Sequence, residues 1–408
     1  MVATINEPRQ GRRGVPYLTA ESAGAAAAAL ADTFALDAAR RDAERELPAR
    51  ELAELAASGL LAITVPAAYG GADLTVEVVA EVFRLLATGD PSIAQIPLSH
   101  FVYVNALRQR GTASQQRFFF DEVLAGRWFG NAQSEVGSKH VRDHATTLRP
   151  DGDAGDRWIL SGEKGYCTGA LFADWIPVLA HLDDDGPLHI AWVERGAPGL
   201  AVIDDWDGMG QRTTGSGTVR LDGVVVTDAR ITPYHLTFEQ PSTYGSFAQV
   251  LHAALDAGIA RAALTEAAAF VRSSSRPYPD AQVERAADDP LIVHAFGQME
   301  VAVRAAEALV AEGARAVDRA NVRLDADAAA AASLAVAAAR AATTSASIEA
   351  SSRLFEVAGT RAALDGLNLH RHWRNARTHT LHDPAQWKIH HLGRWSLEGT
   401  RPPRHGQI

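Results

Sequence analysis

The alternation of hydrophobic and polar positions divides the chain into three blocks. From Leu18 to about Ala125, apolar residues recur about every 3.6 positions, which predicts helices. Between about residues 127 and 230, short runs rich in β-branched and aromatic residues alternate with Gly, Asp and Asn clusters, which predicts antiparallel strands. The helical period returns near Tyr244, with breaks at 273–280 and 359–366. We therefore expect a mainly α protein with a central β-domain.

Composition narrows the classes of protein to consider. The chain has 408 residues, enough for several domains, and a net charge of −10 without a basic block, which argues against nucleic acid as a partner. Its one cysteine, Cys167, excludes an intrachain disulfide and is typical of a reducing cytosol. We expect a flexible lead-in over residues 1–15 without a signal peptide, no membrane span, and a cytoplasmic location.

The segment 370–391 is the most distinctive stretch, because it holds six of the fifteen histidines together with arginines and tryptophans. Within it, Pro384 directly follows His382 and Asp383. Because proline restricts the residue before it, we expect the helix that carries Leu381 to end near Asp383. A histidine beside a carboxylate at a helix end can perform acid–base chemistry near neutral pH. The alternative is a structural His–Asp pair on a surface turn.

Several common sites have no sequence signal. The chain has no G-x-x-x-x-G-K-[ST] loop and no G-x-G-x-x-G between a strand and a helix, which argues against nicotinamide binding by a Rossmann unit. His372, His379 and His382 can be imagined as metal ligands. Metal-binding histidines need convergent geometry and outer partners that orient them, so we expect no metal site.

Four motifs, in this order, resemble the acyl-CoA dehydrogenase superfamily over nearly the whole chain from about residue 20. They are V-P-A-A-Y-G-G (65–71), G-E-K-G-Y-C-T-G-A-L-F-A-D-W (162–175), M-G-Q-R-T-T-G-S-G-T-V-R-L-D-G-V-V-V (209–226), and F-E-V-A-G-T (355–360) followed by R-H-W-R-N-A-R (371–377). The resemblance implies three domains: a helical N-terminal domain (16–126), a central antiparallel β-barrel domain (127–235) and a C-terminal four-helix bundle (236–408). It also implies a homotetramer, because the family completes its cofactor site across subunits.

Within the superfamily, R-N-A-R-T-H-T-L-H-D-P (374–384) resembles the reduced-flavin (group D) monooxygenases related to dibenzothiophene monooxygenase and the sulfur-acquisition oxidoreductases. In the dehydrogenases, Glu-Gly-Thr occupies the place of Asp383, Pro384 and Ala385, and that Glu abstracts the α-proton of a thioester. Here the acid is one methylene shorter and follows a histidine. This difference favours an oxygenase.

The oxygenase resemblance implies a two-component reaction. A separate flavin reductase supplies reduced FMN or FAD by diffusion, and O2 forms a C4a-hydroperoxyflavin that oxygenates a small aromatic or sulfur- or nitrogen-containing heterocycle, such as a thiophene, a sulfone or an indole. His382, oriented by Asp383, would hydrogen-bond the peroxide and supply its proton. His100 would hold or polarise the substrate. The alternatives are an FAD-dependent acyl-CoA dehydrogenase and a non-catalytic flavin-binding protein. For His100, the alternative is a core histidine with satisfied hydrogen bonds.

The resemblance also assigns residues to the flavin site. Polar residues on the first strand meet the pyrimidine edge and N5 side of the ring, a hairpin lies against the isoalloxazine, and a tryptophan walls the pocket. An arginine from a neighbouring subunit meets the phosphate, and a tripeptide approaches the far end of the cofactor. The polar strand residues are Asn131 and Ser134, the hairpin residues are Tyr166, Cys167 and Thr168, and the tryptophan is Trp206. The arginine is Arg276, and the tripeptide is Ala358, Gly359 and Thr360. The alternatives are an ordinary polar strand pair, a core tryptophan and an exposed surface arginine.

Overall fold

The computed structural model describes residues 14–137, 140, 143–152, 155–184 and 186–408. Most of the predicted lead-in over residues 1–15 lies outside this part of the chain. No helix within the described ranges combines the length and the apolar character needed to cross a membrane. The predicted boundaries of the three domains remain predictions.

The N-terminal block is helical, as its 3.6-residue period predicts. Its helices are α1 (Ala20–Ala35), α2 (Ala38–Glu44), α3 (Ala49–Ala57), α4 (Val76–Gly89), α5 (Pro91–Gln95), α6 (Leu98–Arg110) and α7 (Ala113–Leu124). Asp90 caps α5 by accepting hydrogen bonds from the backbone N–H groups of Ser92 and Ile93. The same carboxylate pairs with the buried Arg41 of α2 at 3.1 Å. The short helix is thereby fixed, and its last residue is Gln95.

The middle block forms one seven-stranded sheet. The strands are β1 (Thr147–Pro150), β2 (Arg157–Lys164), β3 (Trp175–Leu182), β4 (Leu188–Glu194), β5 (Leu200–Ile203), β6 (Thr218–Thr227) and β7 (Ile231–Thr232). Their order is β5-β6-β2-β1-β3-β4-β7, so β5 and β7 are edges and the sheet is not closed. The predicted barrel is therefore wrong. Closure depends on pairing between strands distant in sequence, which the local alternation of residues does not encode.

The position of β1 changes how the neighbouring segments are arranged. It lies between β2 and β3, antiparallel to β2 and parallel to β3, although an all-antiparallel domain was predicted. The 165–174 loop therefore crosses β1 and is not the predicted hairpin. Asn131 and Ser134 are not in a named strand either. They lie on an extended segment that forms isolated parallel bridges to β3 at Phe129 and Ala132.

Three long helices dominate the C-terminal block. The helices of this block are α8 (Tyr244–Ser273), α9 (Pro290–Val322), α10 (Ala326–Ala358), α11 (Arg371–His379) and α12 (Ala385–Glu398). The start of α8 and the breaks after Ser273 and Ala358 are confirmed. The three long helices pack against one another, α11 packs on α8 and α10, and α12 packs on α10.

The turn between α11 and α12 begins earlier than predicted. α11 ends at His379, whereas the sequence predicted an end near Asp383. At this end of the helix, His382 ring Nδ1 donates a hydrogen bond to the carbonyl of His379 at 2.8 Å. A side chain thus satisfies a carbonyl at the helix end. His382 and Asp383 lie in the resulting turn.

Candidate active site

His382 lies exposed in this turn, and its two ring nitrogens have distinct roles. Because a carbonyl accepts, the Nδ1 that faces His379 O at 2.8 Å carries a proton. The Nε2 lies 3.0 Å from the side-chain Nε2 of Gln95, so the neutral ring accepts there from the amide. Desolvation by the surrounding protein, and then the charge of His379, lower the pKa of His382 to about 4. At neutral pH the imidazole is therefore uncharged and held from both sides.

His379, not His382, has a carboxylate partner. Its Nδ1 lies 2.6 Å from Oδ1 of Asp256 on α8, and both side chains are fully buried. Arg340 of α10 donates to the other Asp256 oxygen at 2.5 Å. Burial alone would raise the pKa of Asp256, but His379 and Arg340 together lower it. The carboxylate is thus ionised and fixes the orientation of the His379 ring.

A third histidine, His252 of α8, completes the cluster. Its Nδ1 lies 3.1 Å from His379 Nε2, and its ring centroid lies 4.8 Å from that of His382. Burial, and then the charges of His382 and His379, hold the pKa of His252 well below the usual value. Three imidazoles from α8, α11 and the following turn therefore lie in mutual contact.

Asp383 does not orient His382, so that part of the sequence prediction is wrong. Its Oδ1 lies 3.1 Å from Lys388 Nζ and 3.8 Å from Arg340 Nη2, and the side chain is buried. Of the two neighbours in the turn, His382 is exposed and Asp383 is buried. The carboxylate therefore forms ion pairs with two buried cations.

His100 is a core histidine. It is fully buried, its Nε2 donates to Leu61 O at 2.7 Å, and its Nδ1 accepts from the Phe129 N–H at 3.2 Å. Burial lowers its pKa to about 4. Both nitrogens are used by the backbone, which contradicts the predicted contact with substrate. These hydrogen bonds are those of the structural alternative for His100.

The residue that reaches His382 from this region is Gln95, which sequence reasoning missed. It is buried at the end of α5, and its Oε1 has no partner among the described residues. A signal was present, because Gln95 is the polar member of the otherwise apolar run Ile93, Ala94, Gln95, Ile96. A lone amide in such a run indicates a buried hydrogen-bonding role.

The 165–174 loop presents aromatic and hydroxyl groups. Tyr166 adopts a left-handed φ of 55° and is 56% exposed, and its ring lies 6.1 Å from that of Trp206 in an edge-to-face arrangement. Such backbone strain in a non-glycine residue is common at functional sites. Asn131 Nδ2 donates to Tyr166 O at 3.3 Å. The extended segment thus supports the loop at its most exposed residue.

Three hydroxyls form a hydrogen-bonded chain that begins at Thr168, two residues after Tyr166. Thr168 Oγ1 lies 2.6 Å from Ser216 Oγ, which lies 2.7 Å from Thr214 Oγ1. Thr214 Oγ1 in turn donates to Gln211 O at 3.0 Å. Because Thr214 gives its proton to this carbonyl, Ser216 donates to Thr214 and Thr168 donates to Ser216, which leaves Thr168 Oγ1 as an acceptor for a ligand.

Cys167 and Ser134 contribute to the loop mainly through the backbone. The Cys167 N–H donates to Gly217 O at 3.0 Å, its thiol is fully buried, and burial raises the pKa of that thiol to about 12. Ser134 is half-buried, and its carbonyl accepts from the Gly165 N–H at 3.0 Å. Neither residue places an ionised group at the site.

Close backbone contacts bring these loops to the histidine turn. The Gln211 N–H donates to Asn375 Oδ1 of α11 at 2.7 Å. A Cβ on Gly210 would lie 2.0 Å from the Arg374 carbonyl oxygen, so only glycine permits this approach. Gly169 lies against Ile96 O, next to Gln95, where an added Cβ would be 3.1 Å from that oxygen. The sheet loops therefore meet α11 at Arg374 and Asn375, and they meet the end of α5 beside Gln95, which contacts His382.

The chemistry of this lining fits a flavin ring. Both side-chain amide atoms of Gln211 are buried without a partner among the described residues, as is Oε1 of Gln95. A buried unpaired polar group costs about 1–3 kcal/mol, which a ligand with donors and acceptors on its edge would offset. Trp206 and Tyr166 add aromatic faces for a planar ring. The residues present therefore match a planar heterocycle with polar edges.

The residues assigned to the far end of the cofactor cluster elsewhere. Ser275 Oγ donates to Ala358 O at 2.8 Å, which joins the ends of α8 and α10. Arg276, Gly359 and Thr360 are exposed beside this contact, and Gly359 has a φ of 76° with open space around it. Along α10, Ala358 lies about 27 Å from Arg340, at about 1.5 Å per residue. The group therefore lies about five helical turns along α10 from Arg340, whose side chain reaches the histidine turn.

Comparison with known proteins places this geometry in a family. The acyl-CoA dehydrogenase N-terminal, middle and C-terminal domain models match residues 20–127, 129–224 and 250–387. A dibenzothiophene monooxygenase of Rhodococcus qingshengii is 31% identical over 394 residues, which cover 93% of this chain and 94% of that protein. A Pseudomonas putida protein named probable FMNH2-dependent monooxygenase SfnC is 32% identical over 382 residues, which cover 91% of this chain and 94% of that protein.

A solved structure has the same fold throughout. The complex of TdsC from Paenibacillus sp. A11-2 with FMN and indole superimposes with a TM-score of 0.89 at 32% identity, covering 95% of this chain and 99% of that one. The family models, the relatives and this fold agree along nearly the whole chain. The chain therefore belongs to the acyl-CoA dehydrogenase family and, within it, to the flavin-dependent monooxygenases.

Proposed function

We propose that this protein uses reduced FMN and O2 to oxygenate a small aromatic or sulfur- or nitrogen-containing heterocycle, with the reduced flavin delivered by a separate reductase through diffusion. The FMN and indole bound by TdsC, and the FMNH2 in the name of SfnC, support reduced FMN over FAD and an indole-like or thiophene-like substrate. Bound reduced flavin supplies the electrons that activate O2. The protein contributes the orientation, the hydrogen bonds and the exclusion of water.

The observation that carries this proposal is the state of Asp383. A dehydrogenase needs a free carboxylate base at this place in the fold, directed at its substrate. Here the carboxylate is buried and lies 3.1 Å from Lys388 Nζ and 3.8 Å from Arg340 Nη2. The carboxylate is thus engaged by two cations of the bundle and is not left free for a substrate. The exposed acid–base group in the turn is an imidazole, which suits an oxygenase.

Each lining residue has a task in this proposal. Tyr166 and Trp206 flank the ring, Gln211 supplies an unpaired amide to its polar edge, and Thr168 supplies a hydroxyl. Gln95 and the His379 carbonyl hold His382, whose Nε2 can accept from or, once protonated, donate to a bound group. Because water that reaches the reacting centre diverts reduced flavin and O2 to hydrogen peroxide, the packed loops also serve to exclude solvent.

The exposed residues Arg276, Gly359 and Thr360 are available for contact with another subunit, as expected in a homotetramer. Arg276 lies beside the C-terminal end of α10, away from Arg340, so we place it against the phosphate of a flavin held mainly by a neighbouring subunit. Exposed apolar side chains on α9 and α12, including Leu291, Val301, Trp387 and Leu397, provide surface for such contacts. Light scattering of the purified protein tests the mass, and four chains are expected.

The proposed function is tested by supplying photoreduced FMN and 18O2 together with indole or dibenzothiophene. One labelled oxygen atom in the organic product is expected. If neither substrate is labelled and all O2 is recovered as hydrogen peroxide, the protein binds flavin but does not oxygenate these substrates. Bleaching of bound flavin by an acyl-CoA under anaerobic conditions, in the wild type or in Asp383→Glu, would instead establish the dehydrogenase alternative.

A further inference from the structure

The three clustered histidines also suit a metal ion. We propose that His252, His379 and His382 form a binding site for a borderline transition-metal ion such as Zn2+, and that the bound ion inhibits oxygenation by occupying His382. The binding site does not depend on the proposed function, whereas the inhibition does. His372, which the sequence suggested as a ligand, instead directs its Nε2 at Glu266 at 2.6 Å.

The geometry is close to that of a tetrahedral site. One ring nitrogen from each histidine lies within 4.8 Å of the others. His252 Nδ1 and His379 Nε2 are 3.1 Å apart. Two nitrogens bound to one tetrahedral Zn2+ at about 2.0–2.1 Å are about 3.3–3.4 Å apart. The pair therefore needs almost no movement, and His382 is the ligand that moves, exchanging the contact of its Nε2 with the Gln95 amide for the metal.

The surroundings supply what a histidine site for a metal requires. Asp256 holds Nδ1 of His379 at 2.6 Å, which directs Nε2 into the cluster, as outer carboxylates do for metal-bound histidines. A separate observation is the buried Oε1 of Gln95, which has no partner among the described residues although its amide contacts His382. This oxygen is available as a further ligand or as an acceptor for a metal-bound water.

Electrostatics do not oppose the ion. The charged side chains around the cluster are Asp256, Asp383, Arg340 and Lys388, two anions and two cations whose charges cancel. Imidazole binds metal in its neutral form, so binding of the ion should release any proton that the three rings carry at the coordinating nitrogens. Imidazole ligands favour Zn2+, Cu2+, Ni2+ and Fe2+ over Mg2+ and Ca2+.

The direct test uses Co2+ alone, as a coloured substitute for Zn2+, added to the flavin-free protein. Saturation at one Co2+ per chain with visible tetrahedral absorption is expected, and Zn2+ should abolish the colour. His252→Phe and His382→Ala should each raise the dissociation constant at least tenfold. Circular dichroism establishes that both variants are folded, and His382→Ala alters only an exposed side chain.

The control removes histidines outside the cluster. The double variant His390→Ala/His391→Ala deletes the pair beside Trp387 on α12 and should bind Co2+ as the wild type does. Loss of binding in this control, unchanged binding in both cluster variants, or no stoichiometric binding in the wild type would each overturn the site.

Inhibition is measured separately with photoreduced FMN, so that no reductase is present for Zn2+ to inhibit. Zn2+ should suppress product formation, EDTA should restore it, and His252→Phe should need at least tenfold more Zn2+ for half-inhibition. Full activity with Zn2+ bound would refute the inhibition while leaving the site. Co2+ binding to a protein without oxygenase activity would leave the site intact and refute the proposed function instead.

Discussion

His379 Nδ1 lies 2.6 Å from Asp256 Oδ1, although the two residues are 123 positions apart in the chain. This pair, and not the adjacent His382 and Asp383, couples a carboxylate to the histidine cluster. Asp256→Asn should therefore lower the unfolding midpoint, because losing one partner of a buried ion pair costs about 3–5 kcal/mol and leaves Arg340 without its anion. Product formation should fall at least tenfold as His379 loses its orientation, which thermal melting and turnover measurements together detect.

Asp383→Asn is the matched comparison. It removes a buried carboxylate of the same size whose partners are Lys388 and Arg340. Stability should fall, but the product formed per flavin consumed should stay near that of the wild type. A larger loss of product in Asp383→Asn than in Asp256→Asn would restore the sequence-based assignment of Asp383.

His382→Ala should preserve folding and FMN binding while cutting product by about 100-fold, the typical effect of removing one positioned hydrogen-bonding group from an active site. Hydrogen peroxide released per flavin should rise, because the activation of O2 is no longer coupled to substrate. Product is followed by chromatography and peroxide by a coupled dye. His390→Ala on α12 serves as the control and should behave as the wild type. Unchanged coupling in His382→Ala would make His382 structural.

Gln95→Leu should reduce product about tenfold with little change in stability. Leucine has a similar volume and removes the amide that donates to His382 at 3.0 Å, together with its unpaired buried oxygen. Steady-state turnover and thermal melting distinguish the two effects. A large loss of stability with normal turnover would assign Gln95 to the core.

Arg276→Ala should weaken FMN binding by about 1.5–3 kcal/mol, or roughly 10- to 150-fold, because a guanidinium–phosphate contact is charge-assisted. Titration of the variant with reduced FMN under anaerobic conditions measures the change. Arg272→Ala, another exposed arginine near the end of α8, is the matched control and should bind FMN normally. Equal dissociation constants for the two variants would place the phosphate elsewhere.

Acid stability should depend on Glu135, which lies 2.7 Å from the buried Lys164. Burial raises the pKa of Glu135, but Lys164 and nearby hydrogen bonds lower it further, to about 2. A lowered carboxyl pKa stabilises the fold above the unfolded value of about 4.3, and this contribution, on the order of 3 kcal/mol, is lost as the pH falls toward 2. The melting temperature of Glu135→Gln should therefore start lower at pH 6 and fall less between pH 4 and pH 2.5.

His144 must be considered in the same experiment. It lies 3.5 Å from Lys164, and burial lowers its pKa to about 4, so its protonation also destabilises the fold as the pH falls from about 6.5. Because the charge of Glu135 raises the pKa of His144, this loss is larger in Glu135→Gln, but it falls mainly between pH 6.5 and pH 4. The two melting curves are therefore compared below pH 4, where the loss from Glu135 itself dominates. Parallel curves would contradict the assigned shift.

Periodicity predicted much of the fold because it reports local burial. The start of α8 at Tyr244 and the breaks after Ser273 and Ala358 follow from residues within a few positions of each boundary. The open sheet does not, because inserting β1 between β2 and β3 depends on pairings that no local run specifies.

The same difference between local signals and contacts of distant residues explains which parts of the site were predicted from the sequence. The turn at His382 and Asp383 was found because proline acts on its neighbour, yet the partners of both side chains come from other helices. Asp256 and His252 lie on α8, four positions apart in an alanine-rich helix, which places them on one face. His100 was assigned to the substrate because a histidine in an apolar run looks alike whether its nitrogens face a ligand or the backbone.

The crossing of β1 by the 165–174 loop has a consequence for how such proteins can diversify. Strands β2 and β3 are two places apart in the sheet, a lateral distance of about 9–10 Å. The ten residues between Lys164 and Trp175 can span about 33 Å when extended. The connection therefore has far more length than the crossing requires. Insertions and substitutions here can reshape the surface around Tyr166 without shifting the register of either strand.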